Sequence, residues 1–281
     1  MRSSYANKRA KLANKWNVLE FETNSRRAWI NGTMVWLQRP SRYERGKGWT
    51  IPAVDYETLI DPILRSHAYV PKLPKLVVLD PGHGGKDTGA IGKRKVYEKL
   101  AVLSIAKRVK ARLEARKIRV KMTRTTDVFI PLETRSLIAR KAKADLFVSI
   151  HADSSGSASA AGIETFVLTA PGCESSNQYG KGGNLSARPG NAYDAANAIL
   201  GFSVQSNLIK QSGHNDRGLR RARFCVLKNA PCPATLVECG FLSNPTEEAL
   251  MIRADYREKL AHGIANGVLG YLALARHAGK K

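Results

Sequence analysis

The chain has 281 residues, of which 43% are hydrophobic and 25% charged, a composition typical of a globular protein with a buried core. Lysine and arginine total 46 against 23 acidic residues, and the resulting net charge of +23 favours anionic partners. Its apolar runs are too short for a membrane-spanning helix, and the basic residues form no nucleic-acid-binding motif. We therefore expect neither a transmembrane segment nor a nucleic-acid partner.

The N-terminal quarter of the chain predicts a small β-rich unit. Residues 1–15 are basic, lack the apolar stretch of a secretory signal, and are expected to form a disordered tail. Residues 16–70 alternate between apolar and polar side chains like short strands, and Asn31-Gly32 is a typical hairpin turn. A short helix, "DYETLIDPILR", closes this unit, and the proline-containing residues 71–74 form a linker.

From residue 75 to residue 276 the pattern becomes an alternation of strands and helices. It predicts an α/β domain with a mixed, mostly parallel sheet and helices on both faces, followed by a tail over residues 277–281. The predicted strands are 75–80, 118–123, 145–150, 162–168, 223–227 and 234–238, and the predicted helices are 98–116, 131–144, 193–212 and 255–276.

Three polar side chains follow or end predicted strands. His83 and His151 come just after strands, and Glu238 ends one, so the three meet in one crevice if their strands are neighbours. Glu98 opens the helix after the first loop, where the helix dipole favours a carboxylate. The glycine-rich loop "GHGGKDTGA" is compatible with a phosphate or a metal site, but it lacks both glycine-rich phosphate signatures. Two histidines with carboxylates indicate a catalytic zinc site.

Five segments in chain order resemble the zinc-dependent N-acetylmuramoyl-L-alanine amidases of the type 3 family. They are "LDPGHGG", "YEK", "ADLFVSIHAD", "GIETFVL" and "PATLVECGFLSNPTE". The resemblance implies hydrolysis of the amide between N-acetylmuramic acid and L-alanine in bacterial peptidoglycan. It also implies zinc ligands at His83, Glu98 and His151, with the zinc-bound water activated by Glu238. A cell-envelope location follows from that substrate, although no signal peptide is visible.

Other polar residues near these segments have two interpretations each. Arg217, Arg220 and Arg221 either bind stem-peptide carboxylates or belong to a solvated loop. Asp80 and Asp153 flank the two histidines, and either could orient an imidazole N–H. Glu164 alternates within a strand and is expected, at most, to support the catalytic residues from behind.

Four cysteines are present without the spacing of a structural zinc site. They are expected to be small buried thiols, although a bridge between Cys225 and Cys232 is compatible with the sequence. Cys239 follows Glu238 directly, and strand alternation should point it away from that carboxylate.

The N-terminal unit weakly resembles β modules such as copper-amine-oxidase N-terminal-like domains, without implying a copper site. It is either an appendage that packs on the catalytic domain or a wall-targeting module whose Trp29 and Trp36 stack on sugars. Two other functions remain open at this point: a noncatalytic wall-binding protein, and a zinc peptidase with a similar His-Glu-His set.

Overall fold

The computed structural model describes residues 2–6, 9–70, 73–178 and 180–278. The strands are β1 Arg2–Ala6, β2 Arg9–Ala13, β3 Val18–Glu22, β4 Ser25–Ile30, β5 Thr33–Glu44, β6 Gly48–Thr50, β7 Leu76–Pro81, β8 Arg119–Met122, β9 Leu146–Asp153, β10 Ile163–Leu168, β11 Asp216–Ala222 and β12 Ala234–Phe241. The α-helices are α1 Ala53–Asp55, α2 Asp61–Leu64, α3 Glu98–Glu114, α4 Leu132–Lys141, α5 Asp194–Ser212, α6 Cys225–Lys228, α7 Pro245–Ile252 and α8 Ala254–Ala278, with a π-helical turn, Tyr56–Ile60, between α1 and α2.

The strands form one mixed sheet in the order β1-β2-β3-β4-β5-β11-β10-β12-β9-β7-β8, with β6 paired to β5. Strands β12, β9, β7 and β8 run parallel to one another, β10 is antiparallel to β12, and β1 to β5 form an antiparallel meander. The predicted fold class, an α/β sheet preceded by a β-rich unit, is confirmed. The two parts share one sheet because β5 pairs with β11 in parallel.

Helices cover both faces of the central strands. On one face, called the α5 face here, α3, α5 and α8 enclose a core that includes Val77, Leu79 and Val237. On the other, the α4 face, α4 and α6 cover Val78 and Phe147 among others. A strand covered on both faces must be apolar throughout, which is why "LVVL" of β7 forms a continuous apolar run.

Residues 9–13 depart from the predicted tail. They form β2, which pairs with β3 so that Ala10 faces Phe21 and Leu12 faces Leu19. Ala10 is buried, and the strand is stabilised because every second residue packs against β3. The basic residues between them made this segment resemble a solvated tail in the sequence. Residues 2–6 form β1, which pairs with β2, so the prediction of a disordered tail is wrong for residues 2–6 and 9–13, while residues 1, 7 and 8 lie outside the described residues.

The strand predicted over residues 223–227 is also wrong. Cys225–Lys228 is a short helix, and the strand of this region is β11, which begins at Asp216. The sequence favoured the apolar run "RFCVL" over the arginine-rich "DRGLRRA". The latter can enter the sheet because its arginines find carboxylate partners from distant segments.

The predicted Asn31-Gly32 hairpin turn is confirmed between β4 and β5, with φ values of 50° and 82°. All four cysteines are free, so the Cys225–Cys232 bridge is absent. None of the helices in the described residues is long and apolar enough to cross a membrane. Residues 71 and 72 of the predicted linker and residues 279–281 of the predicted C-terminal tail lie outside the described residues.

Candidate active site

The strand order brings three of the predicted site residues to one edge of the sheet. Glu238 on β12 is the direct cross-strand neighbour of His151 on β9, and β9 is flanked on its other side by β7, whose loop carries His83. The two imidazole rings lie 5.0 Å apart in an edge-on arrangement. The expectation that their three strands are neighbours is confirmed.

Glu98 closes this cluster from the first turn of α3. Its Oε1 lies 3.1 Å from His83 Nε2 and 3.1 Å from His151 Nδ1. The same Oε1 accepts a hydrogen bond from the Ala152 N–H (2.9 Å), and Oε2 accepts one from the Ala90 N–H (2.8 Å). Burial raises the pKa of Glu98, but hydrogen bonds from His151 and His83 outweigh it and hold the pKa well below its usual range. The carboxylate is therefore held ionised and fixed in position.

The three side chains have the geometry of a metal site. His83, Glu98 and His151 each offer one ligand atom, and these atoms lie within 4.8 Å of one another. Two imidazole nitrogens and one carboxylate oxygen, partly buried at the end of a sheet, are a donor set found in catalytic zinc sites. Asp87 Oδ1 lies 2.9 Å from His83 Nδ1, on the ring nitrogen opposite the cluster, where it can orient the imidazole.

Glycines create the space that this cluster occupies. A Cβ on Gly82 would lie 2.2 Å from His151 Cε1, so any larger residue would displace the ring. At Gly89 a Cβ would lie 2.5 Å from Glu98 Oε2, and the backbone there has a φ of +62°. His83 itself adopts a φ of 59°, which is uncommon for a residue with a side chain.

Two buried arginines hold the backbone of the loop that carries His83. Arg135 of α4 donates to the carbonyl oxygens of Pro81 (2.9 Å) and His83 (2.8 Å). Arg124 donates to the carbonyl oxygens of Pro81 (3.0 Å) and Gly82 (2.7 Å). Donors from both guanidinium groups fix consecutive carbonyls, which explains how the loop maintains the unusual His83 conformation. No pattern in the sequence marks either arginine as part of the site.

Glu238 faces the cluster from a neighbouring strand and has an unsatisfied oxygen. The side chain is buried, and its Oε2 atom has no hydrogen-bond partner among the described residues. Burial, followed by the nearby charges of Asp153, Glu98 and Glu164, raises its pKa well above the usual value. An unpartnered carboxylate oxygen beside three potential metal ligands is available to bind a proton, a cation or a water molecule.

Glu164 is the cross-strand neighbour of Glu238 on β10. Its Oε2 accepts hydrogen bonds from Arg217 Nε (2.8 Å) and lies 3.0 Å from Arg220 Nε. Both arginines therefore contact a carboxylate of this chain rather than lying in a solvated loop. Arg221 points to the opposite face, where its Nη1 lies 2.7 Å from Asp55 Oδ1 in a fully buried ion pair, so it cannot reach the crevice.

Asp80 and Asp153, the two carboxylates that flank the histidines in the sequence, accept hydrogen bonds from groups other than the imidazoles. Asp80 accepts hydrogen bonds from Thr123, Ser149 and Arg135, and does not orient an imidazole. Burial raises the pKa of Asp153, whose Oδ1 accepts from the Ser154 N–H. The residue beside the imidazole is Asp87, which sequence spacing alone (four residues after His83) could have indicated.

Cys239 is completely buried in the α5-face core, on the side of β12 opposite to Glu238, as strand alternation predicted. His214 also lies away from the crevice, with its Nδ1 3.4 Å from Glu247 Oε1 and its ring beside Tyr256.

Comparison with known proteins places this geometry in a family. Residues 77–270 match the family model described as Amidase_3, N-acetylmuramoyl-L-alanine amidase. The chain is 41% identical over 224 residues to N-acetylmuramoyl-L-alanine amidase AmiA of Salmonella typhimurium, covering 70% of this chain and 76% of AmiA.

Solved structures agree with the sequence match. The catalytic domain of CwlV, an N-acetylmuramoyl-L-alanine amidase from Bacillus (Paenibacillus) polymyxa, has a TM-score of 0.60 and 36% identity, covering 71% of this chain and 99% of CwlV. An N-acetylmuramoyl-L-alanine amidase from Clostridium difficile 630 has a TM-score of 0.61 and 35% sequence identity. The match covers 72% of this chain and 98% of the C. difficile chain. The chain belongs to the Amidase_3 family of N-acetylmuramoyl-L-alanine amidases.

Proposed function

We propose that this amidase uses zinc, held by His83, Glu98 and His151, to hydrolyse the bond between N-acetylmuramic acid and L-alanine in peptidoglycan, with Glu238 as the general base. The observation that carries the proposal is the convergence of three ligand atoms within 4.8 Å beside the unpartnered Glu238 Oε2. Peptidoglycan is the expected partner, and the cell envelope is the expected place of action.

The residues of the chain suit the separate parts of this reaction. When bound, zinc acts as a Lewis acid that polarises a carbonyl and makes water a nucleophile near neutral pH. The unpartnered Oε2 of Glu238 supports the proposal that this carboxylate accepts a proton from water and returns it to the leaving amine.

Substitution of Glu238 separates catalysis from metal binding. Glu238→Gln keeps the shape of the side chain but cannot accept a proton, so the rate on a soluble muramoyl-peptide should fall by about 10²–10⁴-fold. Its zinc content should stay close to one ion per chain. His151→Ala removes a ligand and should lose both zinc and activity. Glu114→Gln, on the exposed end of α3, is the matched control and should change neither.

The outcomes that contradict the proposal are distinct. Full zinc occupancy in His151→Ala would show that the ligands are wrong. Loss of zinc in Glu238→Gln would make Glu238 a ligand, and retained activity would move the base to another residue, with Glu164 the first to test. Cleavage of peptide–peptide bonds instead of the muramoyl–alanine bond would identify a peptidase.

A further inference from the structure

One row of residues on adjacent strands connects the active-site crevice to the N-terminal strands. On the α4 face, Glu238 of β12 lies beside Glu164 of β10, and Glu164 lies beside Gly218 of β11. Gly218 in turn lies against Met34 of β5, and Met34 pairs with Trp29 of β4. Since neighbouring strands lie about 4.8 Å apart, the four strand steps place Trp29 about 19 Å from Glu238.

A second row, parallel to the first, carries Arg220 of β11, Trp36 of β5 and Arg27 of β4. The Arg220 guanidinium lies over the Trp36 ring, 4.6 Å from its centroid, and Arg27 is the cross-strand neighbour of Trp36. Gly218 leaves room for this indole, because a Cβ there would lie 3.0 Å from Trp36 Cδ1. Arg220 also lies 3.0 Å from Glu164, so this row joins the first at the crevice.

The α-helices that contact β5 do not cover this part of the α4 face. The helices α1 and α5, which contact β5, lie on the opposite face together with Leu59, Ile60 and Ala198. Trp29 and Trp36 are only partly buried. The Arg9 guanidinium lies 5.3 Å from the centroid of the Trp29 ring, and the exposed Arg27 forms an ion pair with Glu22 (2.6 Å). The arrangement is fixed by the sheet itself, since Trp36 Nε1 donates to the Arg217 carbonyl oxygen (2.7 Å) and the Met34 N–H donates to Asp216 (2.8 Å).

We infer that the α4 face of β4 and β5 is a binding surface for the glycan strand of polymeric peptidoglycan, continuous with the active site. This inference rests on the proposed function. Partly exposed indoles on the surface of a sheet offer apolar rings on which sugar rings stack. A surface that starts at Glu238 and extends about 19 Å fits a polymer, whereas a small fragment would fill only the crevice.

The test compares a polymer with a fragment. For Trp29→Ala, kcat/KM on insoluble peptidoglycan should fall about tenfold, the effect of one lost aromatic contact, while kcat/KM on a soluble muramoyl-peptide should stay unchanged. Trp29→Phe keeps an aromatic ring and should restore most of the loss. Tyr43→Ala, an exposed aromatic at the far end of β5, is the matched control and should behave as the parent protein.

Binding is measured separately from cleavage, by co-sedimentation with insoluble peptidoglycan at about 1 M salt, where charge attraction is screened beyond about 3 Å. Trp29→Ala should bind more weakly than Tyr43→Ala. Equal binding by these two variants would overturn the inference, as would an equal loss on polymer and fragment. A parent protein that cleaves neither substrate would overturn the proposed function, and the sedimentation result would still decide the role of this face. Self-association that is lost in Trp29→Ala, with wall binding unchanged, would assign the face to a second copy of the chain.

Discussion

The buried ion pair between Asp55 and Arg221 should stabilise the junction between the N-terminal strands and the rest of the sheet. Both side chains are inaccessible to solvent, Asp55 Oδ1 lies 2.7 Å from Arg221 Nη1, and both carboxylate oxygens also accept from the Gln38 N–H at 2.9 and 2.8 Å. Burial raises the pKa of Asp55, and Arg221 opposes this rise, so the carboxylate would be still harder to ionise without its partner.

Asp55→Asn removes the charge but keeps the shape, and it leaves the Arg221 cation buried without a counter-charge. Breaking a buried pair in this way costs about 3–5 kcal/mol, a large part of the roughly 5–15 kcal/mol that stabilises a typical domain. Replacing both members, in Asp55→Asn with Arg221→Met, should cost less than the single change because no buried charge remains. Glu114→Gln breaks the exposed Lys110–Glu114 pair and should cost less than about 1 kcal/mol.

Urea unfolding followed by two probes measures both the loss and its location. All four tryptophans (Trp16, Trp29, Trp36 and Trp49) lie in the N-terminal strands and their turns, whereas the long helices α3, α5 and α8 dominate the far-UV circular dichroism. Because one sheet joins the two parts, both signals should change in one coincident transition, shifted together in Asp55→Asn. A loss below about 1 kcal/mol, or a tryptophan transition separate from the helical one, would refute the reasoning.

Three further predictions concern the site, pH and charge. Gly82→Ala should lose zinc and activity while remaining folded, because the added Cβ occupies the position of the His151 ring; normal zinc content by elemental analysis would contradict the geometry. Burial raises the pKa of Asp194 to about 6, above its ordinary 3.8, so its contribution to the unfolding free energy is present at low pH and is lost as pH rises through about 6. Asp194→Asn should flatten that decline in urea titrations, and an unchanged pH slope would argue against it. Adsorption to anionic walls should weaken with salt because of the +23 charge; adsorption independent of salt would mean that specific contacts dominate.

Much of the site could be predicted from single segments of the sequence. The apolar strands that end near His83, His151 and Glu238, and the helix that begins at Glu98, are local patterns of side-chain alternation and spacing. Once neighbouring parallel strands are assumed, the ends of those strands must meet at one edge. The sequence motifs around these residues indicated the N-acetylmuramoyl-L-alanine amidase family, and the match of residues 77–270 to the family model shows that the chain belongs to it.

The tertiary structure alone decided which residues support that site. Arg124 and Arg135 hold the His83 loop through carbonyl oxygens, which every residue has, so no side-chain pattern marks the contact. β11 was missed because its arginines look solvated until Glu164 and Asp55, far away in the chain, neutralise them.

The junction of the two parts was equally hidden. Local alternation predicts that β5 is a strand, but it does not say that β5 pairs with β11 nor that Trp36 packs beneath Arg220. Alternation is a property of one segment and can be read along the chain. Strand pairing and buried ion pairs are properties of two distant segments, because their energy depends on which partners the whole fold brings within contact distance.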